Sequence, residues 1–227
     1  MSGRALILQH ERSSIGSLPE WVAARGFEPV ILMAEEEWSP PNPAAFEFLV
    51  SMGSGRSSFD DAVPWLAREL ALLEEALEAD TPILGICFGS QALARVLGGV
   101  TRRAIREEIG WLKVETAVPE LLPAGPWMFW HEDSFETPPG AELLATTEVG
   151  DAAFRADRHL AVQFHPEATP AALEEWLGDF SHELDPADVV ELRRGMESEG
   201  EEIVARACAL YDRFLDVANV AGPKTDG

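Results

Sequence analysis

Four short, largely apolar runs dominate the first part of this chain and limit the architectures open to it. They are Ala5–Leu8, Pro29–Met33, Phe46–Ser51 and Pro82–Ile86. Runs without polar alternation are buried on both faces, the condition of strands in a parallel sheet. Amphipathic stretches separate them. Pro19–Arg25 reads as a short helix stopped by Gly26. Pro64–Ala79 is the clearest helix, with Leu66, Leu70, Leu73 and Leu77 on one face and acids on the other. Ser90–Leu97, closed by Gly98-Gly99, follows the fourth run. This alternation predicts an α/β fold with a mostly parallel sheet and helical crossovers.

Further along the pattern changes. Arg102–Gly150 carries several prolines and alternating stretches such as Trp111-Leu112-Lys113-Val114-Glu115, which predict short antiparallel strands and loops. Ala152–Arg155 and Leu160–Phe164 read as two more strands. Pro170–Phe180 and Pro186 to about Val217 read as helices, and Ala221–Gly227 as a frayed tail. A chain of 227 residues fits one α/β domain, or one domain with an added terminal segment.

The chemistry concentrates at Gly85-Ile86-Cys87-Phe88-Gly89, a Gly-x-nucleophile-x-Gly sequence between a predicted strand and a predicted helix. Such a turn holds a nucleophile exposed and strained, and its glycines let strand and helix approach closely. The helix N-terminus favours a thiolate, and the Phe88 N–H can point at a developing oxyanion. The other cysteine, Cys208, lies in a helical stretch and reads as an inert packing residue. Two cysteines do not make a disulfide framework.

A nucleophilic cysteine needs a base that can return the proton to the leaving group. His165 is the best placed of five histidines, directly after the strand Leu160–Phe164, where a parallel sheet opens its ligand crevice. Glu167, two positions on, can orient the imidazole. His159 and His182 read as solvent-exposed. The His, Cys and acid residues lack zinc-ligand spacing, so no metal site is expected.

Pro82-Ile83-Leu84-Gly85-Ile86-Cys87-Phe88-Gly89-Ser90-Gln91 and Ala161-Val162-Gln163-Phe164-His165-Pro166-Glu167 together resemble the two signatures of class I (triad) glutamine amidotransferases. The likeness runs from about residue 4 to about 180. It implies a flavodoxin-like three-layer sandwich: a mostly parallel central sheet, helices on both faces and a small antiparallel addition. It assigns 1–180 to the amidotransferase domain and leaves 181–227 as a helical extension packed on it, with a frayed end.

By the family pattern Cys87 is the nucleophile, His165 the general acid/base and Glu167 its orienting partner. The turn Val50-Ser51-Met52-Gly53-Ser54-Gly55 fits the family's oxyanion loop, with Gly53, Ser54 or Gly55 supplying an amide beside that of Phe88. Gln91 matches the glutamine that contacts the α-amino and carboxylate end of the substrate. Trp130-His131-Glu132-Asp133-Ser134-Phe135 resembles the segment lining the same pocket, placing His131, Glu132 and Asp133 in substrate binding. Glu132 stands where glycine is common, which puts the backbone there in question. His10, in Leu8-Gln9-His10-Glu11, reads as a strand-end loop residue, although some stand-alone members carry a similar Gln-His.

The implied activity is hydrolysis of the glutamine side-chain amide through a cysteine thioester. No cofactor is needed, and the ammonia passes to a separate synthetase, because this chain is too short to hold one. The alternative is a hydrolase of γ-glutamyl peptides or conjugates, and a catalytically silent regulatory subunit is the third reading. The charge agrees with a small-molecule substrate. Forty acidic and 17 basic residues give a net −23, which repels nucleic-acid backbones and anionic membranes. The first apolar run is too short for a signal-peptide core, and none reaches the roughly 18 residues of a membrane span. A reducing cytoplasm is the expected location.

Overall fold

The computed structural model describes residues 3–222, so most of the tail expected to fray lies outside the described residues. Strand β1 (Arg4–Gln9) pairs in parallel with β2 (Glu28–Met33) and β3 (Phe48–Ser51). Next come β4 (Ile83–Ile86) and β10 (His159–Val162), also parallel. The order β2-β1-β3-β4-β10 is that of a flavodoxin-like doubly wound sheet, whose ligand crevice lies at the carboxyl ends of the strands. Three antiparallel strands extend it: β9 (Asp151–Ala156), β8 (Glu142–Thr146) and β6 (Glu115–Thr116).

Both faces of the sheet are covered, as the apolar runs require. In β1, Ala5 and Ile7 meet helices α1 (Leu18–Ala24) and α5 (Pro186–Val217) through Trp21, Val22, Leu210 and Phe214. Leu6 and Leu8 point the other way, onto α2 (Leu66–Glu78) and α3 (Phe88–Val96) through Leu72, Leu73 and Leu93. Each such side chain contributes about 1.5–3 kcal/mol by leaving water. The first half of α5 instead packs Leu192 and Met196 against Leu173 and Leu177 of α4 (Pro170–Phe180). No helix among the described residues is long and apolar enough to cross a membrane.

Two expectations change. Arg102–Gly150 was read as short strands and loops, but its main feature is a ribbon of two long antiparallel strands, β5 (Thr101–Leu112) and β7 (Trp127–Phe135). Most of the first half of β5 is exposed, so it shows no apolar alternation. Arg102, Arg103 and Arg106 pair there with Glu136, Glu132 and Glu148. Helix α2 also departs from its wheel, because Glu69, assigned to the solvent face with the other acids, is fully buried.

Candidate active site

Cys87 joins β4 to α3 with φ 51° and ψ −109°, a conformation costly to any residue with a Cβ. The bend is enforced from both sides. The Cys87 N–H donates to the Val162 carbonyl of β10 at 2.9 Å, and the Gly89 N–H to the Met52 carbonyl at 3.0 Å. A Cβ on Gly89 would lie 2.0 Å from the Ser51 carbonyl oxygen, so only glycine lets α3 come this close to β3. The sulfur receives the Gln163 Nε2 amide at 3.7 Å and lies 3.9 Å from the Trp130 carbonyl oxygen.

His165 follows β10 after two bent residues, and its N–H donates to the Met128 carbonyl at 2.7 Å. That bridge ties the histidine to the β5–β7 ribbon. Its Nδ1 donates to Glu167 Oε1 at 2.8 Å, which turns Nε2 away from the acid. Burial is the largest single influence on its pKa and pulls it down. The Glu167 carboxylate and then the Cys87 sulfur, by charge and by hydrogen bonding, outweigh burial and hold the imidazole well above its ordinary value. An imidazolium beside the sulfur is the counter-ion that a thiolate needs. Glu167 is itself anchored, since its carbonyl accepts the Ser17 N–H at 2.9 Å at the start of α1.

The loop after β3 sits against this pair. A Cβ on Gly53 would lie 2.8 Å from His165 Cε1, so the glycine makes room for the imidazole. The N–H groups of Gly53, Ser54 and Phe88 have no acceptor among the described residues. Gly55 drops out as an oxyanion donor, because its N–H is held by Glu11 Oε1 at 3.2 Å.

His10 lies in the loop at the end of β1, as expected, but it is buried. It is 1% exposed, with its ring 4.9 Å from that of Trp65 and 4.8 Å from that of Phe88. Its Nε2 donates to Glu69 Oε2 at 2.7 Å, its Nδ1 lies 3.2 Å from the Gly53 carbonyl oxygen, and Ser51 Oγ donates to Glu69 Oε1 at 2.6 Å. The buried acid of α2 therefore reaches the loop after β3 through an imidazole.

The remaining expected residues gather in a polar chamber of about 360 Å³ beside Cys87. Gln91 is buried, and its amide hydrogens go to the Asp133 carbonyl at 3.0 Å and Gln163 Oε1 at 3.2 Å, leaving its oxygen to accept. His131 Nδ1 donates to the Asp133 carbonyl at 2.8 Å, while its Nε2 is 3.2 Å from Glu108 Oε2 but poorly aligned for a hydrogen bond. Asp133 accepts from Ser57 Oγ and from Arg103 at 3.1 Å. Glu132 has no positive φ, sits in β7 where the pairing with β5 slips between Arg103 and Glu108, and turns its exposed carboxylate to Arg103. The position where glycine is common is thus strand backbone opposite a bulge.

Outside the site, His159 corrects its expected exposure. It is 6% exposed, its Nδ1 accepts the Ile83 N–H at 3.1 Å, and burial lowers its pKa. His182 is exposed. Cys208 packs beside the core, and burial pushes its thiol up. Among the described residues no cluster of three or more His, Cys, Asp or Glu suits a metal ion. Sequence reasoning passed over Gln163, Glu11 and Glu69. Only Gln163, inside the His165 motif, carried a local signal.

Residues 30–184 match the family described as glutamine amidotransferase class-I, more than half of the chain. The GMP synthase [glutamine-hydrolyzing] of Mycobacterium bovis (strain BCG / Pasteur 1173P2) is 36% identical over 175 residues, 70% of this chain and 31% of that protein. The chain spans about a fifth to a third of the length of the curated GMP synthases it matches. Among solved structures, a glutamine amidotransferase from Thermotoga maritima aligns with a TM-score of 0.85 at 26% identity, covering 95% of this chain and 99% of that one. The glutamine amidotransferase of Methylobacillus flagellatus shares the fold over 100% of both chains, with a TM-score of 0.88 at 24% identity.

Proposed function

Because this chain belongs to the class I glutamine amidotransferase family, we propose that it hydrolyses the side-chain amide of glutamine through a γ-glutamyl thioester on Cys87. One observation carries the reading. A strained cysteine at a helix N-terminus lies beside an imidazole that the Glu167 carboxylate fixes through Nδ1 at 2.8 Å, and both neighbours favour its charged form. The thiolate attacks the amide carbon. N–H groups of Phe88 and of Gly53 or Ser54 hold the oxyanion, each worth about 10²–10³ in rate. His165 gives its proton to the departing nitrogen, and the C–N bond breaks. It then takes a proton from water, which attacks the thioester and releases glutamate and the thiolate.

Each step uses a side chain, a backbone amide or water, so the half-reaction asks for no cofactor. Arg103 and Asp133, with the Gln91 oxygen, supply the charges and acceptors that the α-carboxylate and α-ammonium of glutamine need. Residues 1–180 form the catalytic domain, and helix α5 that follows covers one face of its sheet. The ammonia goes to a separate amide-forming synthetase in the cytoplasm, in keeping with the glutamine-hydrolysing GMP synthases that the chain matches in part.

Incubation with glutamine tests this. The wild type should release ammonia and show a γ-glutamyl adduct on Cys87 by mass spectrometry, and Cys87→Ala should do neither. Absence of both signals from the wild type rejects the reading.

A further inference from the structure

The Cys87 sulfur stands at the boundary of two chambers of opposite character. The polar one holds Gln91, Arg103 and Asp133. The other, about 140 Å³, is lined mainly by apolar surface from Ile15, Met52, Trp130, Trp176 and Phe180, with Gln9, Glu11, Ser13 and Ser14 also on its wall. His165 lines the second chamber and not the first. That asymmetry orients the substrate. The imidazole must reach the departing nitrogen, so the leaving group lies on its side of the sulfur and the charged glutamyl head on the other.

Ammonia needs little of this space. By the measure in which one water needs about 10–15 Å³, a cavity of this volume admits a group of several heavy atoms. Most of the wall is apolar or aromatic and gives ammonia nothing to bond with; its polar residues are a minority of the exposed lining. The apolar side chains are well suited to a flat or aliphatic body, and they are braced. Trp176 packs 5.5 Å from the His165 ring, and Phe180 stands edge-on to Trp130 at 6.4 Å.

We infer that the second chamber is a leaving-group site, and that the substrates of this enzyme are γ-glutamyl amides of primary amines with an apolar or aromatic body, glutamine being the smallest. The thiolate forms the C–S bond, the C–N bond breaks, and the His165 proton completes the free amine. Water then cleaves the thioester to glutamate. The inference rests on the thioester chemistry proposed above.

The test compares γ-glutamylbenzylamide with glutamine on the full chain, reading benzylamine and ammonia release. The two leaving amines have similar basicity, so the ratio of kcat/KM reports the chamber. The benzylamide should be favoured at least tenfold. Ile15→Trp, which fills the chamber, should lower that ratio at least tenfold. Phe180→Ala, at a half-buried wall, should lower it in the same direction and serves if the first variant does not fold. Glutamine turnover equal to or faster than benzylamide turnover, or a ratio unmoved by the folded variants, overturns the leaving-group site and leaves glutamine hydrolysis standing. Failure of both compounds to acylate Cys87 overturns both readings.

Discussion

Replacing Glu69 with leucine should harm the molecule in two separable ways. The acid is fully buried and accepts from His10 and Ser51 at 2.7 and 2.6 Å. Leucine leaves an imidazole N–H and a hydroxyl unpaired in apolar surroundings. Each buried polar group left unpaired costs about 1–3 kcal/mol, so about 2–6 kcal/mol for the two. At about 2–4 °C per kcal/mol for a chain of this size, the melting temperature should fall by about 4–24 °C. The second effect is catalytic. His10 Nδ1 lies 3.2 Å from the Gly53 carbonyl oxygen, so an unsupported ring lets the oxyanion loop drift. The loss is bounded by that of one whole donor, about 10²–10³ in kcat, with a smaller change in KM. The double variant His10→Phe/Glu69→Leu removes the stranded imidazole as well. It should regain most of the melting temperature but not kcat. Thermal unfolding and steady-state ammonia release read the two effects. A Glu69→Leu protein that melts within about 2 °C of wild type with full kcat would refute the argument. Recovery of kcat in the double variant would refute the part played by His10.

Two further predictions follow from the triad. His165 is held well above its ordinary value of 6.5, so kcat/KM should fall on the alkaline side as the imidazolium loses its proton. By linkage, that proton's contribution to stability is full below about 6.5 and is lost as pH rises through the raised value. Glu167→Gln removes the largest raising influence, so the alkaline limb of a pH–rate profile should move to lower pH; an unmoved limb contradicts the assignment. Gly53→Ala puts a Cβ 2.8 Å from His165 Cε1 and should cost about 10² in kcat by displacing the ring, at little cost in melting temperature. Gly55→Ala, whose nearest neighbour would be Glu11 Oε1 at 3.9 Å, should lose far less, and equal losses would show that sterics at His165 are not the cause.

The parallel half of the fold was legible because β1, β3, β4 and β10 are buried on both sides and need no partner to be recognised, although the edge strand β2 is only half-buried. β5 was not, because its polar first half is held by ion pairs to Glu132, Glu136 and Glu148 that leave no period in the sequence. The triad was legible for a related reason. A nucleophile elbow constrains its neighbours in sequence, so Gly85, Cys87 and Gly89 announce each other. The support around it has no such local grammar. Glu69 lies on a helix that otherwise reads as amphipathic, 59 positions from His10. The acid breaks the helix pattern where it serves the site. Trp176 and Phe180 look like ordinary core residues until α4 is brought over the sheet. Leu210 and Phe214, in a segment read as an added extension, are core residues of one face of the sheet.

The bend at Cys87 also bears on how such an enzyme can be improved. A residue with a Cβ held at φ 51° costs of order 1–3 kcal/mol, sustained by the grip of β10 and β3 on its two sides. Selection for thermal robustness alone would therefore reward relaxing the one bond rotation on which reactivity depends. A hardier descendant found by melting temperature would be a well-folded protein with a quiet sulfur, and any search for durability must score turnover at every round.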